Sequence, residues 1–224
     1  VNQHGLTPES GCFFADHGDH LGDHHAWQKE SYFEASCHVP FLISLPGVLP
    51  ADTRRDELVG LVDLFGIATQ AAGSPDLRQG IDVLGMLKGT ASPRSEYTGM
   101  YGEPGTPEFK IMVRTPDWKY IFFANGGGEQ LFNLREDSLE HHNLASQLPE
   151  RAGELRQCAA AACDVEGARD ALDPQGNLRS FPYNDRPLFR IYQFDHSRGV
   201  TGFPEKPEDV LVGWQESHST KKDK

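Results

Sequence analysis

The sequence predicts an α/β fold with two parts: an α/β portion near the N-terminal end, followed by a small antiparallel sheet with a packed helix. Three observations favour this arrangement. Short apolar runs at 11–15 and 39–45 are typical of strands. A helical periodicity follows at 57–72. Three short apolar segments between 109 and 134 are separated by turn residues, which indicates consecutive antiparallel strands.

The first strands are predicted from short apolar runs and the residues that follow them. GCFFA at 11–15 indicates the end of a buried strand, and VPFLISL at 39–45 a second strand that stops at the turn dipeptide Pro46-Gly47. Between them lies a polar stretch crowded with Asp, His and Gly. We expect this stretch to be a loop at the carboxyl end of a strand, where α/β sheets bind ligands.

A helix is predicted over 57–72 because apolar residues recur there at three- and four-residue spacing: Leu58, Leu61, Val62, Phe65 and Ala68. Thr53 with Asp56 resembles a capping box just before it. Residues 74–108 are rich in Gly, Pro and Ser. We expect a linker there, with one short helical piece near 81–88.

The second part contains three predicted strands, FKIMVRT, WKYIFFA and QLFNL, within 109–134. A helix is predicted at about 147–163, with Pro149 in its first turn. The segment LFRIYQFDHSRG, residues 188–199, is interpreted either as lining a pocket entrance or as an arm that packs over the small sheet. The predicted divisions are an α/β portion at 1–95, a small α+β subdomain at 96–167, and an extended arm and tail at 168–224.

Composition excludes some classes of function. The formal net charge of −12 argues against nucleic-acid binding, which needs a basic face. No apolar run approaches the ~20 residues of a membrane-spanning helix. The cysteines form no C-x-x-C pair and indicate neither a zinc ribbon nor a disulfide framework: Cys12, Cys37, Cys158 and Cys163. Composition decides neither the compartment nor the oligomeric state.

The chemistry is concentrated in residues 16–40. Six of the ten histidines lie before Val39, interleaved with aspartates. Carboxylate oxygens suit Ca²⁺ or Mg²⁺, whereas imidazole favours softer metals. Asp16 and His17 are adjacent at the end of a predicted strand and could face one ion. Lys29 could act as a cationic donor to an anionic ester.

Simpler interpretations of the same residues stay open. A loop rich in His and Asp is often a solvated turn, and Asp16 before Gly18 could form an Asx turn. Lys29 beside Glu30 could be a surface ion pair. Zinc is a further alternative because of the adjacent histidines 24 and 25, although no H-E-x-x-H spacing supports it.

Three blocks resemble type I sulfatases, which have an alkaline-phosphatase-like fold. ADHGDHLGDHHAWQKESYFEASCHVPFLISLPG, residues 15–47, resembles the family segment DHG-x-x-LG-[DE]-H-x-x-W-x-K with the aromatic-acid-Ala and VP residues that follow it. LVDLF at 61–65 resembles the helix after the sheet. MVRTPDWKYIFFANGGGEQLFNLREDSLEHHNLA, residues 112–145, resembles the small C-terminal sheet domain, with R-T-x-x-x-K-Y and Q-L-F-[DN]-L-x-x-D-x-x-E-x-x-N-L-A.

The resemblance implies a role for each matching residue. Asp16 and His17 would be ligands of a divalent cation, usually Ca²⁺, with Mg²⁺ an alternative. Lys29 would bind a sulfate oxygen and stabilise charge on the leaving group. His24 would donate a proton to the leaving alcohol, and His38 would have a substrate-side or a structural role. The implied substrate is a sulfated small molecule or a sulfated sugar.

The sequence departs from the family in lacking the nucleophile. Sulfatases use a formylglycine made from Cys or Ser in C/S-x-P-x-R. Ser44-Leu45-Pro46 and Ser180-Phe181-Pro182 have its first half but no Arg two places after Pro. The acidic pair of the family's metal site is absent too. We therefore expect the C-terminal portion of a sulfatase, inactive alone, whose parent hydrolyses sulfate esters.

Two other hypotheses remain. Phosphonate monoester and phosphodiester hydrolases of the same superfamily share the DHG loop and its lysine, and Tyr32-Phe33 with the Ser36–Pro40 run fits their pattern as well. A non-catalytic module, either a degenerate enzyme or a partner-binding domain, would explain the missing nucleophile.

Overall fold

Two antiparallel sheets organise the part of the chain that the computed structural model describes, residues 9–184. The described residues up to Pro182 belong to one compact unit. Single 3₁₀ turns occur at Asp23–His25 and Arg169–Ala171. The main elements in chain order are β1 (Gly11–Phe14), α1 (Glu34–Cys37), β2 (Phe41–Ser44), α2 (Asp63–Ala71), α3 (Val83–Leu87), β3 (Tyr97–Tyr101), β4 (Lys110–Arg114), β5 (Trp118–Phe123), β6 (Gly128–Asn133) and α4 (Pro149–Val165).

The first sheet consists of β1 and β2, paired antiparallel with Phe14 opposite Phe41. The prediction of a buried β1 is wrong for the described residues, because every residue of this strand is exposed, including Phe13 at 66%. Two strands alone form no second layer that could cover them. Just after β2, Leu45 is buried in a cluster with residues of α2 and α3. The sheet is therefore fastened to the fold at one end.

Helix α2 begins later than the periodicity predicts. Its position is determined by Asp63, which is fully buried and accepts hydrogen bonds from the Gly60 and Ile81 amides at 2.8 and 2.9 Å. The carboxylate also forms a bidentate pair with Arg94 at 2.8 and 2.9 Å. The predicted capping box is wrong: the Thr53 hydroxyl donates to Ala51, well before the helix.

The predicted linker at 74–108 contains an additional strand. Helix α3 confirms the short helical piece near 81–88, but β3 pairs antiparallel with β4 over Tyr97–Tyr101. Gly99 in this strand leaves room for the Tyr32 ring, since an added Cβ would lie 3.3 Å from it. Glycine and the flanking prolines are unfavourable in strands and so argued against predicting one here. The aromatic and β-branched residues around Gly99 nevertheless suit an edge position.

The four-stranded sheet, of order β3-β4-β5-β6 and called here the small sheet, buries both faces. Side chains alternate between the faces along each strand. Ile111, Val113, Tyr120, Phe122 and Leu131 pack with residues of α4. On the opposite face, Met112, Ile121 and Phe132 pack against Tyr32 and Phe33. The small sheet therefore lies between α4 and the segment that follows the Asp- and His-rich loop.

The chain after α4 returns to the small sheet. Phe181 donates its amide to the Ala124 carbonyl at 2.8 Å, and its carbonyl accepts from the Gly126 amide at 2.9 Å. Both hypotheses about residues 188–199 lie outside the described residues. Within residues 9–184, no helix is both long enough and apolar enough to cross a membrane.

Candidate active site

The Asp- and His-rich segment after β1, residues 16–29, is called the candidate loop. Its first two residues face each other: the Asp16 carboxylate oxygen Oδ2 lies 3.5 Å from His17 Nε2. His17 Nδ1 lies 2.7 Å from the Gly18 carbonyl oxygen. A carbonyl only accepts, so Nδ1 carries the proton and a neutral ring has its lone pair on Nε2. Two electron-pair donors thus lie side by side.

This arrangement fits two ligands of a divalent cation. A carboxylate beside an imidazole whose other nitrogen bonds a backbone carbonyl is a recurrent ligand geometry. The Asp16 side chain is 79% exposed and His17 is 37% exposed, so an ion can reach both. Within residues 9–184, no group of three or more His, Cys, Asp or Glu side chains could hold a metal. A hard cation wants six or more oxygen ligands, so Asp16 and His17 alone could supply only part of a complete site.

The middle of the candidate loop has an unusual backbone. Leu21, His24, His25 and Gln28 all have φ between 51° and 69°, which non-glycine residues rarely adopt. The Asp19 carboxylate oxygen Oδ1 accepts the amides of Leu21 and Gln28, both at 3.1 Å, and so closes the loop across its base. Such conformations persist only where surrounding contacts overdetermine them, and they cluster at functional sites.

Ser36 in α1 holds both ends of the candidate loop. Its carbonyl accepts the Gly18 amide at 2.8 Å, and its hydroxyl donates to the Lys29 carbonyl. Ser36 is 4% exposed, so these bonds are shielded from water. Gly18 passes so close that an added Cβ would lie 2.0 Å from the Ala35 carbonyl oxygen. One buried serine thereby links the Asp16–His17 end to the Lys29 end, while the Lys29 side chain remains exposed.

His24 packs within an aromatic stack. Its ring lies parallel to Phe33 at a centroid distance of 3.8 Å, and the Phe33 ring lies 5.9 Å from that of Phe132 on the small sheet. His20 is 2% exposed and contacts Phe33 edge-on at 5.9 Å. Burial lowers the pKa of His20, which favours the neutral imidazole. His24 therefore has a packing role, and its proton-donor role remains a prediction.

His38 lies beyond α1 and pairs with the first residue of that helix. Its Nδ1 lies 3.1 Å from Glu34 Oε2. The hydrogen bond to Glu34 raises the pKa of His38 above its ordinary value. The structural role predicted for His38 thus has a definite partner, while its substrate-side role remains a prediction.

We expect His38→Gln to destabilise the protein in mild acid and to have little effect in alkali. Because the folded-state pKa is raised from 6.5, the stabilisation is fully present below that value and is lost as pH rises through the folded pKa. The side chain is 76% exposed, so screening limits the effect to about 0.2–1 kcal/mol. Melting temperatures of both proteins at about pH 5.5 and about pH 9 measure it. A difference that widens with pH would contradict this pairing.

The sequence analysis did not predict the three charged residues that lie between the small sheet and α1. Lys119 and Glu140 are 1% and 3% exposed and meet Glu34 beneath α1. All three occupy positions in the patterns that mark the sulfatase resemblance: the acidic residue before Ala35, the lysine of R-T-x-x-x-K-Y and the glutamate of the ending. A charged residue in an otherwise apolar strand was the available signal, since lysine is rarely buried without a partner.

Comparisons with known proteins agree on the family. The family model described as N-sulphoglucosamine sulphohydrolase, C-terminal, matches residues 22–156. Arylsulfatase K of Danio rerio is 34% identical over 165 residues, which cover 68% of this chain and 31% of the relative. Choline-sulfatase of Rhizobium meliloti (strain 1021) is 34% identical over 195 residues, which cover 82% of this chain and 37% of the relative.

Solved structures show the same fold. A 2-O GAG sulfatase superposes with a TM-score of 0.65 at 24% identity, covering 80% of this chain and 43% of that one. The chain spans about a third of the length of the two curated relatives. Because the family model covers more than half of its residues, the chain belongs to the sulfatase family, whose C-terminal portion it matches.

Proposed function

We propose that the parent protein of this chain hydrolyses sulfate esters, and that the chain supplies part of the metal site and part of the sulfate-binding site. The observation that carries the proposal is the candidate loop. Asp16 Oδ2 and His17 Nε2 lie 3.5 Å apart as two neighbouring electron-pair donors, and buried Ser36 ties that end of the loop to Lys29.

Each site residue has a proposed role. Asp16 Oδ2 and His17 Nε2 would hold a divalent cation, Ca²⁺ or alternatively Mg²⁺, which supplies positive charge beside the sulfate oxygens. The Lys29 ammonium would bind a sulfate oxygen and stabilise the charge that develops on the leaving oxygen. His24 would donate a proton to the leaving-group oxygen as the sulfate–oxygen bond breaks, which requires its ring to expose an edge beyond the Phe33 stack. His38 would lie at the substrate side of α1.

We also propose that the nucleophile comes from outside this chain. Sulfatases use a formylglycine, and the sequence contains no C/S-x-P-x-R motif. Residues 96–167 would form the small subdomain, and most of the division at 168–224 lies outside the described residues. Residues 1–95 would contribute to a catalytic α/β domain together with strands from elsewhere in the parent protein. The exposed Phe13 and Leu42 on the first sheet support this, since additional strands or helices would cover them. The chain alone is then inactive.

For the substrate we propose a sulfated small molecule or a sulfated sugar. The curated relatives are named for aryl and choline sulfates, and the solved neighbour for a 2-O GAG sulfate. These names share the sulfate ester and differ in the alcohol. Lys29, Asp16 and His17 would recognise the shared group, while residues that contact the alcohol would select among substrates.

The test is a side-by-side assay of the parent protein on 4-nitrophenyl sulfate and on 4-nitrophenyl phenylphosphonate, with Ca²⁺ supplied. A higher kcat/KM on the sulfate is expected. The reverse order would favour the phosphonate hydrolase alternative. No turnover of either ester by a protein with an intact formylglycine would favour the non-catalytic module.

A further inference from the structure

Three charged side chains form an ion cluster between the small sheet and α1. Lys119 Nζ lies 2.6 Å from Glu34 Oε1 and 2.8 Å from Glu140 Oε1, and donates to the Tyr32 carbonyl at 2.7 Å. The Lys119 and Glu140 side chains are each 1% exposed. The cluster therefore joins a strand, the loop after β6 and the segment that follows the candidate loop.

We propose that Lys119 and Glu140 are positioning residues of the sulfatase site, through which the small sheet determines the geometry of the candidate loop. The contacts form a continuous path. Glu140 Oε2 accepts the amide of Glu34, the first residue of α1, at 2.6 Å. Two residues further on, Ser36 binds both the Gly18 amide and the Lys29 carbonyl. A shift of α1 therefore moves both ends of the candidate loop.

Further contacts connect the small sheet to the end of the candidate loop and stabilise the ion cluster. Lys110 of β4 donates to the Glu30 carbonyl at 2.8 Å, next to Lys29. Glu140 has a φ of 58°, a conformation that non-glycine residues adopt at a cost and that its buried contacts maintain. Although burial acts in the opposite direction, the hydrogen bond with His38 and the charge and hydrogen bond of Lys119 lower the pKa of Glu34 to about 2. The Glu34 carboxyl group of the cluster is therefore ionised at neutral pH.

The sheet also contains a matched control on its other face. Glu129 accepts hydrogen bonds from Arg156 of α4 and from the Tyr120 hydroxyl. Tyr120 follows Lys119 directly and points to the α4 side. Glu129→Gln and Glu140→Gln thus remove the same charge from ion clusters on opposite faces, of which the Glu140 cluster is buried and the Glu129 cluster partly buried. Only Glu140→Gln disturbs the path to Ser36, because its amide has one accepting oxygen and must turn its NH2 toward either the Glu34 amide or Lys119.

The experiment measures hydrogen–deuterium exchange of the peptide covering 16–31, and kcat and KM on 4-nitrophenyl sulfate, in the full-length protein. Glu140→Gln is expected to speed exchange of that peptide by about tenfold and to lower kcat by about tenfold or more, because ångström-scale misplacement of reacting groups is costly. KM is expected to change less than kcat. Glu129→Gln is expected to leave both readouts within about twofold of wild type.

Equal exchange of this peptide in Glu140→Gln and wild type would overturn the proposal, as would an equal kcat loss in both variants. If Glu140→Gln fails to fold, Glu140→Asp retains the charge but withdraws the carboxylate, and the same criteria apply to it. The inference rests on the proposed function only where it predicts changes in kcat and KM. A wild-type protein inactive on sulfate esters would refute that function, while exchange would still decide the positioning role.

Discussion

Lys29→Ala is expected to lower the kcat of the parent protein on sulfate esters by about a hundredfold or more. A fixed ammonium next to developing negative charge contributes several kcal/mol in a site shielded from water. The backbone of Lys29 is held by the Ser36 hydroxyl, so truncating the side chain leaves the loop closed. The side chain is exposed in the described residues, and stability should change by less than about 0.5 kcal/mol. Steady-state kinetics and thermal melting measure the two effects.

Lys88→Ala provides the control for this prediction. Lys88 is also an exposed lysine, and it follows α3, which packs with α2 in a cluster that contains no residue of the candidate loop. Its removal changes the net charge equally but should leave kcat within about twofold. Lys29→Arg retains the charge with a larger, planar group and should recover only part of the activity. Unchanged turnover of Lys29→Ala would remove this lysine from the active site and weaken the sulfate-binding proposal.

The local sequence pattern was sufficient to predict those elements whose position is determined by neighbouring residues. The strands β4, β5 and β6 alternate between two faces and are separated by Pro116-Asp117 and by glycines after Asn125, so they could be predicted. The start of α2 could not, since it depends on Asp63 meeting Arg94, a residue 31 positions away. The exposure of β1 also depends on what else is present to cover it.

The candidate site divides in the same way. Asp16, His17 and Lys29 lie within one segment, and its resemblance to sulfatases predicts them as site residues. The ion cluster could not, because Glu34 and Glu140 are 106 positions apart and Lys119 reaches Tyr32 across 87. Contacts at such separation follow from sheet topology, which a single sequence does not specify. Resemblance marked these positions without giving their role, and only the packed structure supplies the reason for them.

Asp16→Asn is expected to weaken Ca²⁺ binding by the parent protein by at least about tenfold. Calcium affinity depends on the number of charged oxygen ligands, and the substitution removes one charge at the ion without changing side-chain size. His17 Nε2 would remain, but a nitrogen ligand alone is poorly suited to a hard cation. Calorimetric titration of Ca²⁺ into the metal-stripped protein measures the dissociation constant directly, independently of turnover.

Asp19→Asn is the control that distinguishes direct ligation of the ion by Asp16 from a general effect of negative charge in the loop. Asp19 lies in the same loop, and its oxygen accepts the Leu21 and Gln28 amides, a role that the asparagine carbonyl can retain. Both substitutions remove one negative charge from the candidate loop, close to the proposed position of the ion. If only net charge mattered, they would weaken binding equally. If Asp16 is a ligand, its variant should lose about tenfold more affinity than Asp19→Asn. Equal dissociation constants would therefore exclude the proposed metal site, even if the protein proved to be an active hydrolase.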